Sequence, residues 1–200
     1  MYHFDFYMPA KVLFGAGRLQ SLHEEKLPGK KALIATTNGK SVKKYGYLAA
    51  LEKELDTAGV AYELFDQIRP NPTSDNVMDG AALAKKTGCD FAIALGGGSV
   101  MDCCKCIALM MTNDGDIWDY SLSVNGGKKQ PAHNAAPIVA ITTSAGTGSE
   151  VDMASVITNE KTQEKTGIFF TSMFPTLSIV DSNLMMRDIR QAIGSNKLLT

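Results

Sequence analysis

Four short apolar runs set the plan of this chain: KALIATT at 31–37, VAYELF at 60–65, CDFAIAL at 89–95 and PIVAI at 137–141. Runs this short and this apolar suit strands that are covered on both faces. The segments between the first three, and after the third, read as helices. Ser41 caps one that extends to about Ala58, with Leu48, Leu51 and Leu55 on one side and Gly59 as its stop. Thr73 opens a second through Lys86, closed by Lys85, Lys86 and Gly88. Ser99 opens a third, to about Met111. Strand and helix thus alternate with short connections. That predicts an α/β protein with a Rossmann-like, doubly wound parallel sheet and right-handed crossovers. Upstream, VLFGAG at 12–17 is a short strand running into a glycine turn, and Arg18 to Lys26 is a further helix. Downstream, MASVIT (153–158), TGIFF (166–170) and LSIVD (177–181) predict three strands separated by polar turns.

The composition excludes several classes of function. Of 200 residues, 44% are apolar and 20% charged, so the chain can bury an ordinary core and fits neither a disordered protein nor a coiled coil. A net charge of −1 lacks the basic excess of a nucleic-acid binder. No apolar run approaches the ~18 residues of a membrane span. The start, MYHFDFYMPA, has no basic segment of the kind that opens a signal peptide, so a cytoplasmic location is expected. Three of the four cysteines, Cys103, Cys104 and Cys106, crowd into DCCKC. Cys103 and Cys106 form a C-x-x-C, but no second pair and no paired histidine follows. Buried thiols early in a helix are the favoured reading over metal or redox chemistry.

The chemistry gathers in two glycine-bearing loops, GGGS after the third apolar run and TTSAGTGSE after the fourth. If their strands are parallel neighbours, both loops lie beyond the carboxyl edge of the sheet, where such sheets bind ligands. Gly97 and Gly98 let backbone approach a ligand closely, and Ser99 begins a helix whose first N–H groups favour an anion such as a pyrophosphate. A bare turn is the alternative. Asp102 completes S-V-M-D, a capping box on Ser99, or contacts a ligand hydroxyl. After the first run, Asn38, Gly39 and Ser41 offer small donors with Lys40, Lys43 and Lys44 nearby, and no acid stands there to hold a ribose 2′-hydroxyl. That chemistry suits a 2′-phosphate, hence NADP(H) more than NAD(H), or else a solvated lysine face.

GGGSVMD at 96–102, Asn71-Pro72 and TTSAGTGSE at 142–150 together resemble the iron-containing (group III) alcohol dehydrogenases. NGKSVKKYG at 38–46 is similar to the butanol-dehydrogenase branch, many of whose members use NADP(H). The resemblance extends from about Phe6 to about Leu184. It implies a cofactor domain over 1–184, with 185–200 as the departing start of an all-helical domain that holds a divalent metal, Fe or Zn, in a complete member. It implies that Gly97, Gly98 and Ser99 cradle the pyrophosphate. Thr143, Ser144 and Thr147 would line the adenine and nicotinamide side, and Asn71 would lie near the ribose. Lys165 matches a cofactor-contacting lysine, and Leu184 the leucine of a D-P-x-L segment in which Ser182 replaces the proline. Aligned generously, Asn196 and Thr200 stand where the family has its first two metal ligands, an Asp and a His, and the later histidines find no counterpart. Asn and Thr are poor substitutes for those ligands. The resemblance therefore assigns no catalytic and no metal-binding residue to this chain.

The expected activity is hydride transfer between nicotinamide and a primary alcohol or aldehyde. This chain would supply the cofactor half, in a possible homodimer. A truncated, non-catalytic NADP(H)-binding module is the second expectation. Glycerol and sugar-phosphate enzymes share a GGG loop, but TTSAGTGSE fits the alcohol dehydrogenases better. Loss of the helical half would expose an apolar face, with Met153, Met173, Met185 and Met186 either covering it or lying in the core.

Overall fold

The computed structural model describes residues 3–39 and 41–186. Among these residues eight strands form: β1 (Lys11–Phe14), β2 (Lys31–Thr37), β3 (Ala61–Ile68), β4 (Phe91–Gly96), β5 (Ile138–Thr142), β6 (Ala154–Asn159), β7 (Glu164–Phe169) and β8 (Leu177–Val180). Six of them make one parallel sheet in the order β1-β8-β5-β4-β2-β3. Every residue of β4 and β5 is buried, which is why these strands read as unbroken apolar runs rather than alternating ones.

Alternate strand residues feed two separate cores. Leu33, Ala92, Ala94, Ile138 and Ala140 face one side of the sheet, where α3 (Ser74–Thr87) and α4 (Gly98–Thr112) pack with Val77, Ala81, Met101 and Ile107. Ile34, Ile93, Leu95, Val139 and Ile141 face the other, against Leu48, Leu51 and Leu55 of α2 (Tyr47–Thr57). The expected doubly wound sheet is therefore present. Cys103, Cys104 and Cys106 are fully buried in the first core, and burial pushes the Cys104 and Cys106 thiols up to about 12. Thiols so placed are small apolar fillers, not ready thiolates.

Three helix expectations change. Ser41–Ala58 is not one helix but α1 (Ser41–Lys44) and then α2, because Gly46 turns left-handed at φ 75° between them. The helix expected over Arg18–Lys26 is a 3-10 helix that ends at Glu24. The buried Asp181 carboxylate, at the end of β8, accepts from the Gly17 and Leu19 N–H groups (2.9 and 3.1 Å) and pins that segment. Finally, α4 starts at Gly98 with Gly97 as its N-cap, so Ser99 lies inside the helix and does not cap it. The α3 expectation holds in detail: the Thr73 hydroxyl accepts from the Asn76 N–H, and Gly88 ends the helix in the left-handed region.

The last three expected strands form but part company. β8 returns to the sheet between β1 and β5, whereas β6 and β7 pair antiparallel as a hairpin outside it, against α4. Met173 and Met185 are core residues, Met153 is half-buried, and Met186 stays 42% exposed. No helix among the described residues is long and apolar enough to cross a membrane.

Candidate dinucleotide site

The chain runs outward from β2 to β3, then returns to place β4 on the other side of β2. That reversal opens a crevice between the carboxyl ends of β2 and β4, the place where open α/β sheets take ligands. Register fixes the level of the loops. Ala35 lies opposite Ala94, and Gly96 opposite Thr142, so the loops after β2, β4 and β5 emerge together. An open cleft of about 330 Å³ lies there. Thr37, Asn38 and Gly39 line it from β2, Gly97, Gly98, Ser99 and Val100 from α4, and Ser144 from the β5 loop.

The floor of this cleft is built for close approach. A Cβ on Gly97 would lie 2.8 Å from Ser144 Oγ, and one on Gly98 would lie 3.4 Å from Thr147 Cγ2. Gly97 caps α4 without a side-chain acceptor, so the first N–H groups of a 15-residue helix are left to the cleft with the positive end of its dipole. These features fit a pyrophosphate.

A second cleft, of about 440 Å³, shares Gly98 and Ser99 with the first and is lined further by Asp102, Thr147, Ser149 and Asp152. The glycine loop therefore separates two recesses, an arrangement that can hold a two-part ligand by its middle. Asp102 does not cap α4. Its Oδ1 accepts from Ser149 Oγ (3.0 Å) and its Oδ2 from the Val156 N–H (3.1 Å). Burial raises its pKa against the lowering effect of those bonds.

Asn38, Gly39, Gly97, Gly98, Ser99 and Ser144 meet in the first cleft, and Asp102 and Thr147 in the second. Thr143 is half-buried and its N–H donates to the Gly96 carbonyl (3.0 Å), linking the two glycine loops. Asn71, at φ 56°, and Lys165 of β7 meet each other, with Lys165 Nζ donating to Asn71 Oδ1 (3.0 Å), outside both clefts. Ser41 is exposed at the start of α1, and Leu184 is buried in the α2-side core; neither lines either of these two clefts. Asn196, Thr200 and Lys40 lie outside the described residues.

The lysines do not behave as one group. Lys43 Nζ is held by Asp66 Oδ2 (2.5 Å), and its hydrogen bond keeps the Asp66 carboxyl below the ordinary range. Lys44 lies by the Tyr45 ring. Among the described residues, the cation that lines the first cleft is Arg69, immediately after β3. It is half exposed, with Glu160 4.0 Å away. No Asp or Glu lines this cleft among the described residues. Nor do those residues contain any cluster of three or more His, Cys, Asp or Glu that could hold a metal ion, so they do not fit a metal centre.

A doubly wound parallel sheet with a glycine loop at its switch point defines the Rossmann-like class of α/β domain. Within that class the chain belongs to the iron-containing alcohol dehydrogenase family, whose profile matches residues 9–182. It is 38% identical over 181 residues to a Bacillus subtilis protein named probable NADH-dependent butanol dehydrogenase 1, covering 90% of this chain and 46% of that one. It is 37% identical over 185 residues to 1,3-propanediol dehydrogenase of Citrobacter freundii, covering 92% and 46%. The crystal structure of NADH-dependent butanol dehydrogenase A from Thermotoga maritima superposes with a TM-score of 0.85 at 34% identity, over 92% of this chain and 46% of that one. The chain thus spans about half the length of the curated relatives it matches.

Proposed function

We propose that this chain is the cofactor-holding half of an NADP(H)-dependent alcohol dehydrogenase or aldehyde reductase, acting on a small primary alcohol or aldehyde. The observation that carries the reading is the switch-point cleft with the uncapped start of α4 at its floor. A nicotinamide dinucleotide, when bound, supplies the hydride chemistry. The residues of this chain bind and orient. Gly97, Gly98 and Ser99 would take the pyrophosphate at the helix N-terminus. Asn38 and Arg69 would take the adenosine ribose, with Arg69 turning from the loosely paired Glu160, 4.0 Å away, to a 2′-phosphate. Thr147 and Asp102 would meet the other end, and Lys165, bonded to Asn71, would reach toward the ligand from the hairpin.

The preference for NADP(H) rests on Arg69 and on the absence of an acid in the first cleft among the described residues, and it differs from the NADH in the names of the relatives. A binding-only role is the second reading, favoured by Asn196 and Thr200 at positions where the family has metal ligands. Calorimetric titration of the 200-residue chain with NADPH and NADH tests both. Tighter binding of NADPH is expected. Binding of neither by a folded chain overturns the reading, and tighter binding of NADH overturns its cofactor preference. Aldehyde reduction by the same preparation would remove the binding-only alternative.

A further inference from the structure

Lys105 is only 1% exposed, seven residues into α4, and lines neither cleft. Its ammonium donates to Ser149 Oγ (3.1 Å), Asp152 Oδ1 (2.6 Å) and the Ala154 carbonyl (2.8 Å), which uses all three of its protons. A lysine can only donate, so the single Ser149 proton is left for Asp102 Oδ1, 3.0 Å away. The direction of every bond in this network is thereby set. Lys105 gives to Ser149, Ser149 gives to Asp102, and the other Asp102 oxygen receives the Val156 N–H of β6. Ser155 adds a bond to the Asp102 carbonyl (2.6 Å).

The Lys105–Asp152 pair is buried on the lysine side only, Asp152 being 46% exposed, and such a pair contributes little more to stability than a well-packed apolar side chain of the same volume. Stability alone is therefore a weak reason for a full charge here. The network instead ties three parts of the second cleft together: α4, the loop that carries Thr147 and Ser149, and the hairpin that carries Lys165. The Lys105 charge also offsets two carboxylates, Asp102 and Asp152, that would otherwise stand uncompensated where an anion is to bind.

We propose that Lys105 is a positioning residue for the dinucleotide site, its ammonium holding the 147–152 segment and the β6–β7 hairpin against α4 through Ser149 and Asp152. The proposal rests on the dinucleotide reading above. Its test is the NADPH dissociation constant of the 200-residue chain, measured beside the urea midpoint of each variant. K105M should weaken binding about 10-fold or more while leaving a folded chain. S149A, which cuts the link between Lys105 and Asp102, should weaken it several-fold, and S149T, which keeps the hydroxyl, should restore it. A folded K105M that binds NADPH within twofold of the wild type overturns the proposal. If K105M does not fold, S149A decides by the same measure, and failure of both to fold assigns the network to stability and overturns it too. A wild-type chain that binds no dinucleotide instead removes the functional reading on which the proposal stands.

Discussion

The central sheet and the β6–β7 hairpin are held by different forces. The sheet is fastened by apolar burial on two sides: Ile93 and Val139 pair in register and neither is exposed. The hairpin carries few such contacts. Ile157 and Ile168 reach the core, while Val156 and Phe169 are 37% and 49% exposed. Its attachment is largely polar, through Asp102, Lys105, Ser155, the Thr158 N–H on the Pro72 carbonyl, and Lys165 on Asn71. Apolar burial tolerates small displacements, whereas hydrogen bonds fail steeply with distance and angle. The sheet is thus suited to stability, and the hairpin to placing side chains.

The contrast is broken most directly by Ile93→Ala in the sheet against Val156→Ala in the hairpin. The first should cost about 2–5 kcal/mol by urea unfolding, and the second no more than about 0.5 kcal/mol. Equal losses would show that the hairpin is part of the same apolar core. Gly97→Val comes next. Its added carbons fall on Ser144 and on the place where a ligand must approach, so NADPH affinity should drop about 100-fold in calorimetry. The global unfolding free energy should change by less than that of Ile93→Ala. Arg69→Ala should lower the preference for NADPH over NADH about 10-fold, the size of one charge-assisted hydrogen bond, and leave NADH affinity nearly unchanged. An equal loss for both cofactors would place Arg69 at the pyrophosphate.

The smallest effect is on pH dependence. Burial raises the Asp102 pKa in the folded chain above its ordinary value. The folded chain then keeps a proton that the unfolded chain releases. The Asp102 contribution is therefore stabilising below the ordinary carboxylate range, and it is lost as pH rises through the raised value. D102N should flatten that part of the stability–pH curve; an unchanged slope would assign it to other carboxylates.

Much of this was legible in the chain. The strands were visible because doubly covered strands are short apolar runs, and α3 because Thr73 and Gly88 mark its ends. The glycine loops were visible because few other sequences let backbone approach a phosphate. The break at Gly46 was not, since a glycine inside a helical pattern is compatible with continuation until the left-handed φ is seen. The capping role expected of Asp102 failed although S-V-M-D is a valid local capping pattern. The competing partners, Ser149 and Val156, lie 47 and 54 residues away.

By itself the sequence determined the alternation of elements, the position of the two glycine loops and the family likeness that their motifs carry. These are local properties: hydrophobic period, cap chemistry and bare backbone act within a few residues. Only the tertiary structure decided that β8 enters the sheet while β6 and β7 leave it. The same holds for Arg69, rather than Lys43, facing the first cleft, and for the partners that neutralise a buried Lys105. Those outcomes depend on which distant groups arrive at the same point, and charge pairing and hydrogen bonding are settled by distance and angle rather than by spacing along the chain.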